Sequence, residues 1–205
     1  LYQGSIEKKI QEKIFSKIEK IIHKLDLLIF SDFNYGSLPQ DLVESITDLA
    51  KKKGVLVSAD SQSSSQTGDI SRFKDMDFIF PTEHEARISL RNQEDGLIIL
   101  CEKLINDSNA KNIALKLGSE GVLVFQKERE GDTHEADRIK ALNSNPKDVA
   151  GAGDSFMIVT MLSLASGSSL WQASFLGSLA AAFQVSRIGN FPLDRELLNS
   201  ILLDI

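Results

Sequence analysis

Residues 148–156 have the sequence Asp-Val-Ala-Gly-Ala-Gly-Asp-Ser-Phe and run directly into an apolar helical pattern that starts near Ser155. Glycine lets the backbone adopt positive φ and come close to a ligand. We therefore expect the amides of Ala152, Gly153 and Asp154 to lie unpaired at a helix N-terminus. Free N–H donors and the helix dipole favour an anion there, such as a transferring phosphoryl group.

Asp154 has two interpretations from the sequence. A carboxylate in an anion-binding loop repels phosphate, so its presence is explained if it accepts the proton of an attacking hydroxyl group. The alternative is an ordinary glycine-rich turn in which Asp154 caps the following helix. A Gly-x-Gly-Asp motif alone does not separate the two.

The composition is that of a globular protein. The 205 residues suffice for one substantial α/β core, and 42% hydrophobic with 25% charged residues is ordinary for such a domain. The net charge of −6 argues against nucleic acid or an anionic membrane as the main partner. Cys101 is the single cysteine, which excludes an internal disulfide and fits a cytoplasmic protein. No apolar run approaches the roughly 18 residues of a membrane span.

Short apolar strands alternate with helical patterns along the chain. This alternation indicates a mostly parallel sheet covered by helices on both faces. Residues 127–147 are charged and predict a connection with one or two short edge strands. The predicted strands are 26–30, 55–59, 77–80, 112–117 and 121–126. The predicted helices are 5–24, 40–53, a short one opening at 82, 94–106, 155–166, 170–188 and 194–203.

Polar residues follow the first three predicted strands. Asp32 and Asn34 follow the first strand, and Asp60 follows the second. Thr82 follows the third strand and opens a short helix, with Glu85 placed for a capping box. Because ligands of parallel sheets bind beyond the carboxyl ends of the strands, these side chains predict one binding rim.

These motifs, in this order, resemble the ribokinase-like (PfkB-type) carbohydrate kinase family. Residues 148–156 match its Asp-x-x-Gly-Ala-Gly-Asp signature throughout, and residues 116–122 (Lys-Leu-Gly-Ser-Glu-Gly-Val) resemble its nucleotide-binding hairpin. Residues 81–86 resemble its Asn-x-x-Glu segment, with Thr82 in place of Asn. Residues 31–39 resemble the strand-end segment of the heptose-phosphate kinase branch.

The resemblance implies a ribokinase-like three-layer α/β/α fold with a mostly parallel central sheet. It identifies residues 1–205 as a single, partial α/β kinase domain: the nucleotide-binding, C-terminal two-thirds of a longer protein. The sugar-binding N-terminal region and the β-sheet lid of the family have no match here. Family members often dimerise through that lid, so the resemblance implies a homodimer only for the full-length protein.

The implied activity is ATP-dependent phosphorylation of a hydroxyl on a sugar or sugar phosphate, with a heptose phosphate as the first candidate acceptor. The branch commonly has Asp-Pro-Lys where this chain has Asp60-Ser61-Gln62, so the lysine is absent at that place. A ribokinase- or adenosine-kinase-like acceptor is the alternative within the enzyme class. Outside it, the chain is a nucleotide-binding module without catalysis, or a fragment that binds nucleotide and phosphorylates nothing.

The resemblance also assigns roles to individual residues. Asp154 is the base, and the amides of Gly151, Ala152 and Gly153 complete the anion hole with that of Asp154. Glu85 organises Mg²⁺ through water, the alternative being that it only closes the capping box. Asp148 helps to bind K⁺, the alternative being that it orders its loop. The acceptor contacts are Asp32, Asn34 and Asp60, and the ATP contacts are Lys116, Gly118, Gly121, Ser178 and Ala182. Turn formation by the glycines and plain helix packing at 177–182 are the alternatives for the ATP contacts.

Overall fold

The computed structural model describes residues 4–62, 68–127 and 134–193, with residues 196 and 199. The chain divides into two compact units, Leu1–Lys116 with Leu123–Asp137 and Leu117–Val122 with Arg138–Ile205. The single domain over residues 1–205 stays a prediction. None of the helices among the described residues combines the length and the apolar character that crossing a bilayer requires.

The first unit contains a β-sheet and its helices. The strands of the sheet are β1 (Leu27–Asp32), β2 (Leu56–Ser61), β3 (Phe78–Ile79), β4 (Asn112–Lys116), β5 (Val122–Lys127) and β6 (His134–Ile139). Val122 of β5 and residues 138–139 of β6 are assigned to the second unit. The helices of the first unit are α1 (Lys8–Ile21), α2 (Gln40–Lys52), α3 (Glu83–Leu90) and α4 (Leu97–Ser108).

The strands lie in chain order across the sheet, and β1 to β4 are parallel. Only residues 117–121 join β4 to β5, which is too short for a parallel crossover, so this end of the sheet is antiparallel. β6 confirms the edge strand predicted within residues 127–147. β3 is shorter than predicted, although the Asp77 and Phe80 N–H groups on either side of it still donate to Val57 O and Ala59 O.

The helices of the first unit follow their apolar periodicity. In α2 the buried side chains are Leu42, Val43, Ile46, Thr47 and Ala50, and in α4 they include Leu100, Cys101, Leu104 and Ile105. Burial raises the pKa of the Cys101 thiol to about 12, so the thiol is a packing group. The amphipathic α1 is confirmed as a helix, although none of its side chains is buried.

The second unit contains two apolar helices, α5 (Ala152–Ala165) and α6 (Leu170–Gln184). They pack closely at Gly177, where a Cβ atom would lie 2.1 Å from Thr160 Oγ1. α5 starts three residues before the predicted Ser155, so that prediction was wrong. α6 ends at Gln184 rather than at 188. The predicted helix 194–203 lies almost entirely outside the described residues.

Candidate functional site

The first turn of α5 begins from a left-handed glycine. Gly151 has φ of +76° and is the N-cap residue, and its carbonyl accepts the Ser155 N–H at 2.9 Å. A Cβ atom on Gly151 would lie 2.1 Å from Asn190 Oδ1. Both the backbone conformation and the close approach of Asn190 therefore require glycine at this position.

The amides of this turn are partly available for an anion. The Ala152 N–H donates to Val149 O at 3.3 Å, so the expectation that this amide is unpaired was wrong. A tight turn preceding the helix uses that donor. The Gly151, Gly153 and Asp154 N–H groups have no acceptor among the described residues. They form the positive end of the α5 dipole, where an anion is favoured.

The Asp154 carboxylate lies in the same turn. It is half-buried, and within the described part of the chain it makes no hydrogen bond or ion pair. The N-cap residue of α5 is Gly151, and no side chain caps the helix. The capping interpretation of Asp154 was therefore wrong, and its oxygens are available to accept a proton or a ligand hydrogen bond.

Asp148 orders the loop that precedes α5. Its Oδ1 accepts the Ala150 N–H at 3.0 Å, and its Oδ2 accepts the Gly189 N–H at 2.9 Å. These backbone hydrogen bonds, that of Ala150 first, hold the pKa of Asp148 below its ordinary value. The carboxylate thus joins the loop to the segment after α6.

In the first unit, Asp32 at the end of β1 is almost fully buried, with 4% of its surface exposed. Arg72, in a short 3-10 turn, donates from Nη2 to Asp32 Oδ2 at 2.6 Å. The Asn34 N–H donates to Asp32 Oδ1 at 3.0 Å. The Asn34 side chain then reaches the end of β2, where it donates to the carbonyl of Gln62 at 2.7 Å. The predicted rim residues of β1 and β2 are therefore neighbours.

Asp60 at the end of β2 is also paired with a cation. Lys116, the last residue of β4, donates from Nζ to Asp60 Oδ1 at 3.0 Å and so reaches across the intervening β3. Asp60 is 2% exposed and the Lys116 side chain 17%. The sequence lacks the lysine expected next to Asp60, and the structure brings a lysine to it from a strand end 56 residues away.

Glu85 closes the capping box of α3. Its Oε2 accepts the Thr82 N–H at 2.7 Å, and Thr82 Oγ1 accepts the Glu85 N–H at 3.2 Å. Thr82 also bridges to Lys116, which places this turn on the same rim. The described residues include no group of three His, Cys, Asp or Glu side chains able to hold a metal alone. A single carboxylate suits Mg²⁺, which keeps its waters and binds substrate phosphates.

The remaining nucleotide candidates have structural contacts in the second unit. Gly118 and Gly121 have φ of +60° and +95°, and a Cβ atom on Gly121 would lie 2.0 Å from Ile139 O. In α6, Ser178 Oγ donates to Ser174 O at 2.9 Å, and Ala182 O accepts the Asn143 side chain at 3.0 Å. Their nucleotide contacts stay predictions.

The sequence pattern did not indicate two residues that contact the candidate site, Arg72 on the rim of the first unit and Gln184 beside the loop that precedes α5. Arg72 gave no signal, since its partner Asp32 lies 40 residues earlier. Gln184 is fully buried at the end of α6, and its Nε2 lies 3.2 Å from Ala150 O and 3.2 Å from Gly189 O. An amide within the otherwise apolar residues 179–185 was the available signal for Gln184.

Comparison with known proteins gives consistent matches. The family described as pfkB family carbohydrate kinase matches residues 1–192. The bifunctional protein HldE of Desulfatibacillum aliphaticivorans is 30% identical over 187 residues, which are 89% of this chain and 36% of that protein. An uncharacterized sugar kinase of Buchnera aphidicola is 29% identical over 201 residues, 96% of this chain and 60% of that protein. The chain thus spans less than two thirds of either relative.

Solved structures agree in fold. Phosphofructokinase-2 from Escherichia coli, in a complex with potassium, superposes with a TM-score of 0.74 at 17% identity, over 94% of this chain and 62% of that one. Ribokinase from Arabidopsis thaliana, in a complex with ribose and ATP, superposes with a TM-score of 0.73 at 20% identity. The match covers 98% of this chain and 61% of that one. The predicted α/β fold with a mostly parallel sheet is confirmed as ribokinase-like.

Proposed function

Because the chain belongs to the pfkB family of carbohydrate kinases, we propose that it carries the nucleotide-binding part of an ATP-dependent kinase that phosphorylates a hydroxyl group of a sugar or sugar phosphate. The observation that carries the proposal is the first turn of α5. There, and at its N-cap, a carboxylate and three amides lie within the matched signature and have no hydrogen-bond partner among the described residues.

The proposed chemistry is positioning and charge stabilisation. Asp154 accepts the proton of the attacking hydroxyl, and the amides of Gly151, Gly153 and Asp154 stabilise the charge of the transferring phosphoryl group. Gly151 sets the geometry of the turn, and Ala152 closes it. Lys116, Gly118, Gly121, Ser178 and Ala182 are the proposed nucleotide contacts, carried over from the family resemblance.

Glu85 is the proposed ligand of Mg²⁺, through water. The metal would supply charge neutralisation at the phosphates of ATP. What supports the role is the place of Glu85 on the rim, where Thr82 bridges to Lys116; the capping-box hydrogen bond equally fits the alternative, that Glu85 only closes the box. By the same resemblance Asp148 is a candidate ligand of K⁺, whereas its two backbone hydrogen bonds support the alternative, that it orders its loop.

For the acceptor we propose a phosphosugar of the heptose-phosphate type, contacted by Asp32, Asn34 and Asp60. The similarity to bifunctional HldE supports this choice. Arg72 and Lys116 pair with the two buried carboxylates of the rim, so an anionic acceptor meets no uncompensated carboxylate there. A ribokinase-like acceptor is the alternative, and a homodimer of the full-length protein stays a prediction.

The test is turnover of the complete protein with ATP, Mg²⁺ and a panel of sugars and phosphosugars. Asp154→Asn is expected to lower kcat by about 10²- to 10⁴-fold, the usual contribution of a general base. It should leave ATP binding, measured by calorimetry, unchanged. The control is Asp107→Asn, which removes an exposed carboxylate paired with Lys74 at 3.4 Å. ATP binding without turnover of any acceptor by the wild type would support a binding module instead.

A further inference from the structure

The Gln184 side chain is a buried cross-link in the second unit. It is fully buried, and its Nε2 donates to Ala150 O and to Gly189 O, both at 3.2 Å. Its Oε1 accepts from Arg187 Nη2 at 2.8 Å. A guanidinium only donates and a carbonyl only accepts, so the partners fix the orientation of the amide. Every hydrogen-bonding atom of the buried group is thereby satisfied.

The same two segments are joined a second time by Asp148. Its carboxylate accepts the N–H groups of Ala150 and Gly189, the residues whose carbonyl groups accept from Gln184. Asn190 Oδ1 lies 3.5 Å from Gln184 Nε2, at the outer limit of a hydrogen bond. Three oxygens therefore converge on one nitrogen, beside the carboxylate considered as a K⁺ ligand.

A cation bound beside Asp148 would need these oxygens as ligands. The oxygens of Ala150 and Gly189 already accept from an amide, and both oxygens of Asp148 accept from the backbone. The residues present thus do not fit K⁺. We propose that the Gln184 side-chain amide takes the position that a monovalent cation would occupy between residues 148–150 and 189–190, so that the loop preceding α5 is ordered without K⁺.

Arg187 strengthens the Gln184 amide as a replacement for a cation. Its guanidinium donates to Gln184 Oε1 and to Phe191 O, the latter at 2.9 Å, and lies 5.0 Å from the centre of the Phe183 ring. A positive charge at the amide oxygen polarises the amide and strengthens its N–H donors. The fixed guanidinium of Arg187 and the neutral amide of Gln184 together take the place of a diffusible cation. The inference concerns the order of the loop and is independent of the proposed kinase activity.

The test measures the free energy of unfolding in KCl, NaCl and choline chloride at equal ionic strength. The wild type is expected to have the same value in all three salts. Gln184→Ala removes the amide and vacates its position between the carbonyl oxygens of Ala150 and Gly189. This variant should be destabilised in choline chloride and recover in KCl. At ten times the dissociation constant, K⁺ would raise its folding equilibrium constant about 11-fold.

The control is Asn143→Ala, which removes a side-chain amide that donates to a backbone carbonyl at 3.0 Å elsewhere in the same unit. It should lose stability equally in every salt. Stabilisation of the wild type by K⁺ beyond that by Na⁺ would overturn the proposal, and this comparison needs no variant. A Gln184→Ala protein that no cation restores would also overturn it, since the amide would then be an ordinary structural contact.

Discussion

The Asp32–Arg72 pair allows a quantitative prediction about the rim of the first unit. Asp32 is 4% exposed, and Arg72 Nη2 lies 2.6 Å from its Oδ2. In Arg72→Ala the carboxylate stays buried, and among the described residues the backbone N–H of Asn34 is its remaining hydrogen-bond donor. Removing one partner of a buried pair costs about 3–5 kcal/mol. Because one oxygen stays hydrogen-bonded and water can enter beside the truncated side chain, we expect about 2–4 kcal/mol here.

The assay is urea unfolding of the chain, followed by circular dichroism. Lys8→Ala is the matched control, because the Lys8–Asp41 pair is 3.4 Å long with side chains 71% and 79% exposed. Exposed pairs contribute about 0–1 kcal/mol. The double variant Arg72→Ala with Asp32→Asn should be more stable than Arg72→Ala alone, since a neutral amide is less costly to bury than a carboxylate.

Two outcomes would refute this reasoning. One is a cost of Arg72→Ala no greater than that of Lys8→Ala, which would mean that the carboxylate is solvated. The other is a double variant that is less stable than Arg72→Ala alone. In that case the lost stability would come from packing of the arginine side chain, which lies 4.2 Å over the Phe73 ring, and the charge would be irrelevant.

Two further predictions concern the second unit. Gly177→Ala should destabilise the protein by about 1–3 kcal/mol through overpacking against Thr160, whereas Gly96→Ala, where nothing lies within 4 Å, should cost less than about 1 kcal/mol by thermal unfolding. A smaller loss for Gly177→Ala would mean that the helices separate easily. The pKa of Asp148 is lowered in the folded state, so the carboxylate adds to the free energy of unfolding above its unfolded pKa of about 3.9. This stabilisation is lost as the pH falls through the pKa of the folded state. Asp148→Asn should remove the part of the pH dependence that sets in as the pH falls below about 5, and an unchanged loss of stability in acid would contradict the assignment.

The sequence predicted the structure correctly where the interacting residues are close together in the chain. The capping box needs only Thr82 and Glu85, three residues apart, and it forms as predicted. The parallel strands were readable from their continuous apolar residues, and their carboxyl ends converge because parallel strands share one direction. The order of polar residues along the chain therefore predicted the rim of the first unit.

The sequence did not predict the contacts that join segments far apart in the chain. Lys116 reaches Asp60 from a strand end two positions away in the sheet, and no periodic pattern encodes that reach. The start of α5 was misplaced because Gly151, held against Asn190, begins the helix earlier than the apolar pattern does. Such contacts depend on tertiary packing, which local propensity does not contain.

The capping box of α3 also has a consequence for ligand binding. The Glu85 side chain loses its rotational freedom when the protein folds, because its carboxylate is bound to the backbone of Thr82. For the proposed metal role, the entropic cost of immobilising this ligand is therefore met before Mg²⁺ arrives. The backbone N–H of Thr82 thus preorganises the carboxylate. A proline at position 82, which lacks that N–H, would release the carboxylate and so weaken metal affinity, although residue 82 itself does not contact the ion.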